Sequence, residues 1–275
     1  MIKLMENEIT SPNPGKIEQD SSIFKDEYSI RSYEVDLKGN VTIQTLCQFM
    51  QETASKHAHT LGLGLDHLFE ENLTWVLSRL LVSIDTFPKW GDTITVHTWP
   101  TGVDHLFALR DFLITDKADV VIGKATSAWL VIDLTKRRPH RVKPFIDRIH
   151  SLTDKRVLKA KLGKLPSMEH PDYIKVLSVR YSDLDRNSHV NSIEYVEWLL
   201  ESIPFELRKK YNPVELEINF LSEAMYGDEI SNRLKKDDSP APSFMHSLVR
   251  KEDGQELCRA RTVWLTDNKR DYSKR

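Results

Sequence analysis

The chain has 275 residues, of which 40% are hydrophobic and 29% charged, with a formal net charge of -2. That composition suits one large or two medium globular domains and leaves no basic footprint for nucleic acid. Cys47 and Cys258 stand far apart in no metal-ligand spacing, the N-terminus lacks an apolar signal core, and no run approaches the ~18 apolar residues of a membrane span. A disulfide framework and a transmembrane helix are excluded, and a reducing, cytoplasmic compartment is the expectation.

Residues 1–24 read as an N-terminal tail. An extended segment from Tyr28 to Asp36 then leads to a helix N-capped by Thr42, with Ile43, Leu46, Cys47, Met50 and Ala54 on one face. Strand-like runs follow at Leu73–Asp85, Asp92–Trp99, Leu106–Thr115 and Val120–Asp133, separated by turn residues such as Pro88, Gly91 and Gly102. Residues 25–150 form a first unit. From Phe145 to Pro171 the chain is charged and aperiodic, and 151–171 is expected to be a connector.

A second unit, 172–268, repeats the order. Tyr173–Leu184 is extended, and a helix starts at Asn191-Ser-Ile-Glu194, which has capping-box spacing. Its apolar face is Ile193, Val196, Leu199, Leu200 and Ile203, and strands are expected at Val214–Leu221, Asp228–Leu234, Ser243–Arg250 and Glu256–Thr266. Residues 269–275 form a second tail.

The repetition is an internal duplication. Placing Val41 on Val190 also puts Arg31 on Arg180, Asp36 on Asp185, Thr42 on Asn191 and Glu52 on Glu201. Trp90-Gly-Asp92 matches Tyr226-Gly-Asp228, and Trp129 falls on Trp264. The expected fold is therefore α+β: two tandem units, each a long helix wrapped by a curved antiparallel sheet, paired edge to edge.

Three side chains able to do chemistry cluster in Asp185-x-Asn187-x-His189, just before the second helix. The first turn of a helix has unpaired N–H groups that favour developing negative charge, and a carboxylate beside it can act as base or nucleophile. The plain alternative is that Asp, Asn, Ser and His only make a turn and cap the helix. The first unit keeps Asp36 but has Lys38 and Asn40 where the second has Asn187 and His189, which suggests one active and one structural copy. His57 and His59 are two apart on a helix and point to different faces, so no metal site is expected. The basic run from Thr135 to Lys143 is either a solvated strand end or a docking surface for an acidic partner.

Ser182-Asp-Leu-Asp-Arg-Asn-Ser-His-Val-Asn191 with Tyr195, Trp198 and Glu201 resembles the signature of the acyl-acyl-carrier-protein thioesterases of plants and bacteria. Leu73-Thr-Trp-Val76, Arg79 and Phe87-Pro-Lys-Trp-Gly-Asp92 look like that family's N-terminal half. The resemblance implies a double hotdog fold, an N-terminal unit that shapes an acyl tunnel, a catalytic C-terminal unit and an acyl carrier protein as partner, with no cofactor. It places catalytic roles on Asp185, Asn187, His189 and, by a looser match, Glu223. Ala224 stands where many plant members have cysteine, so a thiol route is not expected. The implied reaction is thioester hydrolysis by water activated by Glu223 or Asp185, with the helix start at Ser192–Glu194 holding the oxyanion. Phe49 and Trp75 are candidate tunnel residues, and either a monomer or a homodimer fits. Rival readings are a hydroxyacyl-thioester dehydratase or hydratase, an acyl-CoA thioesterase and a non-catalytic acyl-thioester sensor. The hydratase pattern D-x-N-P-x-H differs from the spacing present here.

Overall fold

The computed structural model describes residues 22–266 except 238 and 240, so the expected tails lie outside the described residues apart from 22–24. The first unit comprises β1 (Phe24–Ser29), α1 (Ile43–Thr60), α2 (Leu65–Glu70), β2 (Leu73–Ile84), β3 (Thr93–Asp104), β4 (Phe107–Asp116), β5 (Val121–Asp133), β6 (Arg138–His140) and α3 (Lys143–Ile146). The second comprises β7 (Tyr173–Ser178), α4 (Ser192–Leu200), α5 (Phe205–Lys210), β8 (Asn212–Phe220), β9 (Glu229–Lys236), β10 (Ser243–Arg250) and β11 (Glu256–Leu265).

The strands form one antiparallel sheet in the order β1-β3-β4-β5-β2-β8-β11-β10-β9-β7, with β6 on β5. The units join where β2 pairs β8, with Leu80 opposite Ile218 and Leu81 opposite Glu217. This edge-to-edge joint gives each central strand a hydrogen-bonded neighbour that it would lack in a lone unit. The apolar face of α1, with Ile43, Leu46 and Met50, packs into the same core as Val196 and Leu199 of α4 and as Val82, Phe112, Leu216 and Leu248 of the sheet. The architecture is the double hotdog.

Local chemistry moves some boundaries. The extended segment expected to reach Asp36 ends at Ser29, because the N–H of Arg31 bonds Glu34 Oε2 at 2.7 Å and folds 32–34 into a 3-10 turn. In the second unit the N–H of Arg180 bonds Asp183 Oδ2 at 2.7 Å and does the same. Helix α4 is half the length of α1 and stops at Leu200, although Ile203 is buried as its spacing predicted. Pro204 biases Ile203 away from the helical region and has no N–H to continue the ladder.

The connector is held more firmly than its composition implied. Phe145 and Ile146 are buried on α3 against Leu63 and Leu68. Farther on, Asp111 Oδ2 accepts the Val157 N–H at 2.8 Å and pairs with Arg156, while Asn219 Oδ1 accepts the Leu165 N–H at 2.7 Å. Asp111 alternates with Phe112, and Asn219 with Ile218, so these anchors lie on the sheet face opposite the helices. Among the described residues no helix is long and apolar enough to cross a membrane.

Candidate active site

The catalytic candidates sit on a tight turn between Leu184 and Val190, which bridge each other. The N–H of Asp185 donates to the His189 carbonyl at 2.7 Å, and Asp185 Oδ1 accepts the N–H groups of Asn187 at 2.7 Å and His189 at 3.3 Å. Asp36 does the same in the first unit, accepting the N–H groups of Lys38 at 2.8 Å and Asn40 at 3.1 Å. The turn-forming role of the aspartate is thus common to both copies, and what differs is the pair of side chains it presents. Ser188 occupies a left-handed conformation (φ 62°) where the first copy has Gly39 (φ 75°). A side chain there carries backbone strain that a structural turn avoids with glycine.

Glu223 comes from the segment after β8. Its Oε2 lies 3.4 Å from His189 Nε2 and 3.5 Å from Arg137 Nη2. The main chain around it is held on every side. The Tyr195 hydroxyl donates to the Ser222 carbonyl at 3.3 Å and accepts the Ala224 N–H at 2.8 Å. Arg250 Nη2 donates to the Glu223 carbonyl at 2.7 Å, and the Val190 N–H to that of Ala224 at 3.0 Å. This brace holds the main chain around Glu223 and leaves its carboxylate to His189 and Arg137.

The start of α4 is more occupied than expected. Asn191 Oδ1 accepts the Ile193 N–H at 3.1 Å and the Asn191 carbonyl accepts that of Glu194 at 3.0 Å. Of the three N–H groups from Ser192 to Glu194, only that of Ser192 has no partner among the described residues. The Ser192 hydroxyl donates to Gln51 Oε1 on α1 at 3.1 Å, bringing a side chain of the first unit to the site.

Burial of Glu194, reinforced by Glu197 and Asp183, pushes its carboxyl up to about 7 from its ordinary value of 4.5. The folded protein therefore binds a proton there between these pH values that the unfolded chain releases. Its contribution to stability is present below about 4.5 and is lost as pH rises through about 7. Glu194→Gln should gain thermal stability over the parent progressively across that window and by a constant amount above it. A pH series of unfolding curves checks this, and a constant difference at every pH would contradict it.

A cavity of about 920 Å³ opens beside Asp185, Asn187, His189 and Glu223 and runs into the first unit between α1 and β2, β4 and β5. Its volume lies at the upper end for small-molecule sites. Ala54 and Ala58 of α1 and Ala108 of β4 leave room in it, and Trp75 lines it with its indole N–H on the Leu63 carbonyl at 2.8 Å. Phe49 does not line this cavity; it stacks on Tyr28 at 4.2 Å between ring centres. The corresponding place beside the first unit's turn is filled. Lys38 Nζ donates to the carbonyls of Arg208 at 3.1 Å and Tyr211 at 2.7 Å and to Asn212 Oδ1, which Asn40 also contacts.

The remaining candidates sort themselves by burial. His57 is buried against Arg110, while His59 is exposed beside His67. Among the described residues no group of three or more His, Cys, Asp or Glu is placed to hold a metal ion. Cys47 and Cys258 are buried in the core, and burial pushes the Cys47 thiol up to about 12. Gln51 and Arg250 carry no local pattern that marks them, while the basic run points to Arg137 only as a docking residue and the signature includes Tyr195 without its bracing role.

Family models described as the acyl-ACP thioesterase N-terminal domain and C-terminal domain match residues 21–149 and 167–266. The chain belongs to the acyl-ACP thioesterase family. A palmitoyl-acyl carrier protein thioesterase, chloroplastic, of Gossypium hirsutum is 30% identical over 91% of this chain and 65% of its own length. The chain thus spans just under two thirds of that relative. An acyl-ACP thioesterase structure from Bacteroides thetaiotaomicron superposes with a TM-score of 0.81 at 29% identity, covering 90% of this chain and 100% of the other. The 12:0-ACP thioesterase of Umbellularia californica gives 0.77 at 26% identity, covering 89% and 97%.

Proposed function

We propose that the chain hydrolyses fatty acyl thioesters delivered by an acyl carrier protein, releasing the free acid and the carrier thiol. The observation that carries this reading is the His189–Glu223 pair at 3.4 Å, set on a cavity that reaches into the first unit and beside the open Ser192 N–H. Glu223 takes a proton from water, and the resulting hydroxide adds to the thioester carbonyl. The oxyanion is met by the Ser192 N–H and the side-chain amide of Asn187, which has no partner among the described residues. Collapse breaks the C–S bond, and the leaving sulfur takes the proton back from Glu223 through His189. Asp185 shapes the turn that presents Asn187 and His189.

A panel of carrier-bound and coenzyme A thioesters of graded length, read by free-thiol release, tests the reaction. No thiol release, or an enoyl product from a 3-hydroxyacyl thioester, would overturn it. A cytoplasmic location fits the two buried free thiols.

The basic run contributes Arg137 to the site itself, while Arg138 and Arg141 are exposed beside it. In this reading they attract the acidic carrier. Charge reversal at Arg138 and Arg141 should raise KM for carrier-bound substrate about tenfold and leave a coenzyme A thioester nearly unchanged. Equal effects on both substrates would remove the docking role. Arg137 is unsuitable for this test because it touches Glu223.

A further inference from the structure

The cavity reaches a charge that the hydrolytic step does not use. Ser192 contacts Gln51 at the mouth, and His57 lies six residues farther along α1, about 9 Å inward at 1.5 Å per residue. There Arg110, projecting from β4 toward the helix, lines the cavity. Its Nη1 lies 3.0 Å from His57 Nδ1 and donates to Thr98 Oγ1 at 3.1 Å. No hydrogen bond engages Nε or Nη2, and no carboxylate pairs with the guanidinium, among the described residues. The neighbouring Asp111 faces the other side of the sheet, where it pairs with Arg156. Desolvation without an offsetting anion pushes Arg110 down to about 10 from 12.5.

This is a planar, charged donor set in a cavity that Ala54, Ala58, Ala108 and Trp129 also line. A plain methylene chain passing it displaces water from these N–H donors and offers them no acceptor, which costs free energy. An oxygen on the chain supplies that acceptor, and a carboxylate also supplies the missing charge in a geometry the guanidinium fits.

We propose that Arg110, backed by His57 and Thr98, forms a subsite for an oxygen function on the distal part of the acyl chain. The preferred substrates are then acyl groups of middle length that carry a terminal hydroxyl or carboxylate. The identity of the reacting end rests on the thioesterase reading; the subsite itself does not.

The test therefore reads binding rather than turnover. Calorimetric titration of the full chain would compare methyl esters, whose head carries no charge, bearing acyl chains of about eight to fourteen carbons, at about 1.2 Å per chain bond, in plain, ω-hydroxy and ω-carboxy form. The parent protein should bind at least one oxygenated series about tenfold tighter than the plain esters. Arg110→Met should erase that preference, and Arg110→Lys, which keeps the charge but loses the fork, should keep part of it. The series that gains identifies the substrate as alcohol or acid. Equal or tighter binding of plain esters by the parent would overturn the proposal, as would an unchanged ratio in a folded Arg110→Met protein. Should Arg110→Met fail to fold, an Arg110→Lys ratio identical to the parent's at every length would overturn it. Absence of thiol release from plain acyl thioesters would count against the hydrolytic reading alone.

Discussion

Glu223→Gln should lower kcat by about 10²–10⁴-fold, the usual contribution of a positioned general base, while KM stays within a few-fold of the parent. Gln keeps the volume of the side chain, and the bonds from Tyr195, Arg250 and Val190 go to main-chain groups, so the segment stays in place. The informative partner is Asp185→Asn. An amide oxygen still accepts the N–H groups of Asn187 and His189, so the turn survives and most activity should survive with it. Asp185→Ala removes that acceptor and should cost far more than Asp185→Asn. The opposite ranking, an inactive Asp185→Asn beside an active Glu223→Gln, would move the base to Asp185. Asp36 argues for the expected order, because the first copy of the turn, with Lys38 and Asn40 in place of Asn187 and His189, uses its aspartate in the same way.

Much of this was legible because the chain says it twice. Aligning the two copies exposes the shared helix starts at Thr42 and Asn191, the strand rhythm and the edge-to-edge joint, since each unit alone would leave a strand edge unpaired. It also isolates Asn187 and His189 as the substitutions peculiar to one copy. What stayed illegible was long-range or short-lived in sequence. The helices Leu65–Glu70 and Phe205–Lys210 have six residues each, too few for a 3.6-residue period to declare itself. Arg137 meets Glu223 across 86 positions and Gln51 meets Ser192 across 141, and no local spacing encodes such contacts. The oxyanion donors were overcounted because helix-start logic treats the first N–H groups as open. Here Asn191 consumes two of them, one with its side chain and one with its own carbonyl.

Ile218→Ala should lower stability by about 2–5 kcal/mol, the range for emptying a buried aliphatic site. At the usual sensitivity for a chain of this size the melting temperature falls by roughly 5–15 °C. Ile218 is fully buried on β8, opposite Leu80 of the first unit and Ala260 of its own. It lies at the joint, in a core shared by Met50 and Val82 on one side and Leu216 and Leu248 on the other. A core continuous across the joint makes the two units one cooperative element, so a single unfolding transition is expected before and after the substitution. Fluorescence separates the cases, since Trp75, Trp99 and Trp129 report on the first unit and Trp198 and Trp264 on the second. Both sets should shift together. Two transitions, with the first unit's unmoved, would mean that the units are stable apart. The same continuity explains why the joint matters to the candidate site: the cavity is lined mainly by the first unit, and Asp185, Asn187, His189 and Glu223 at it belong to the second.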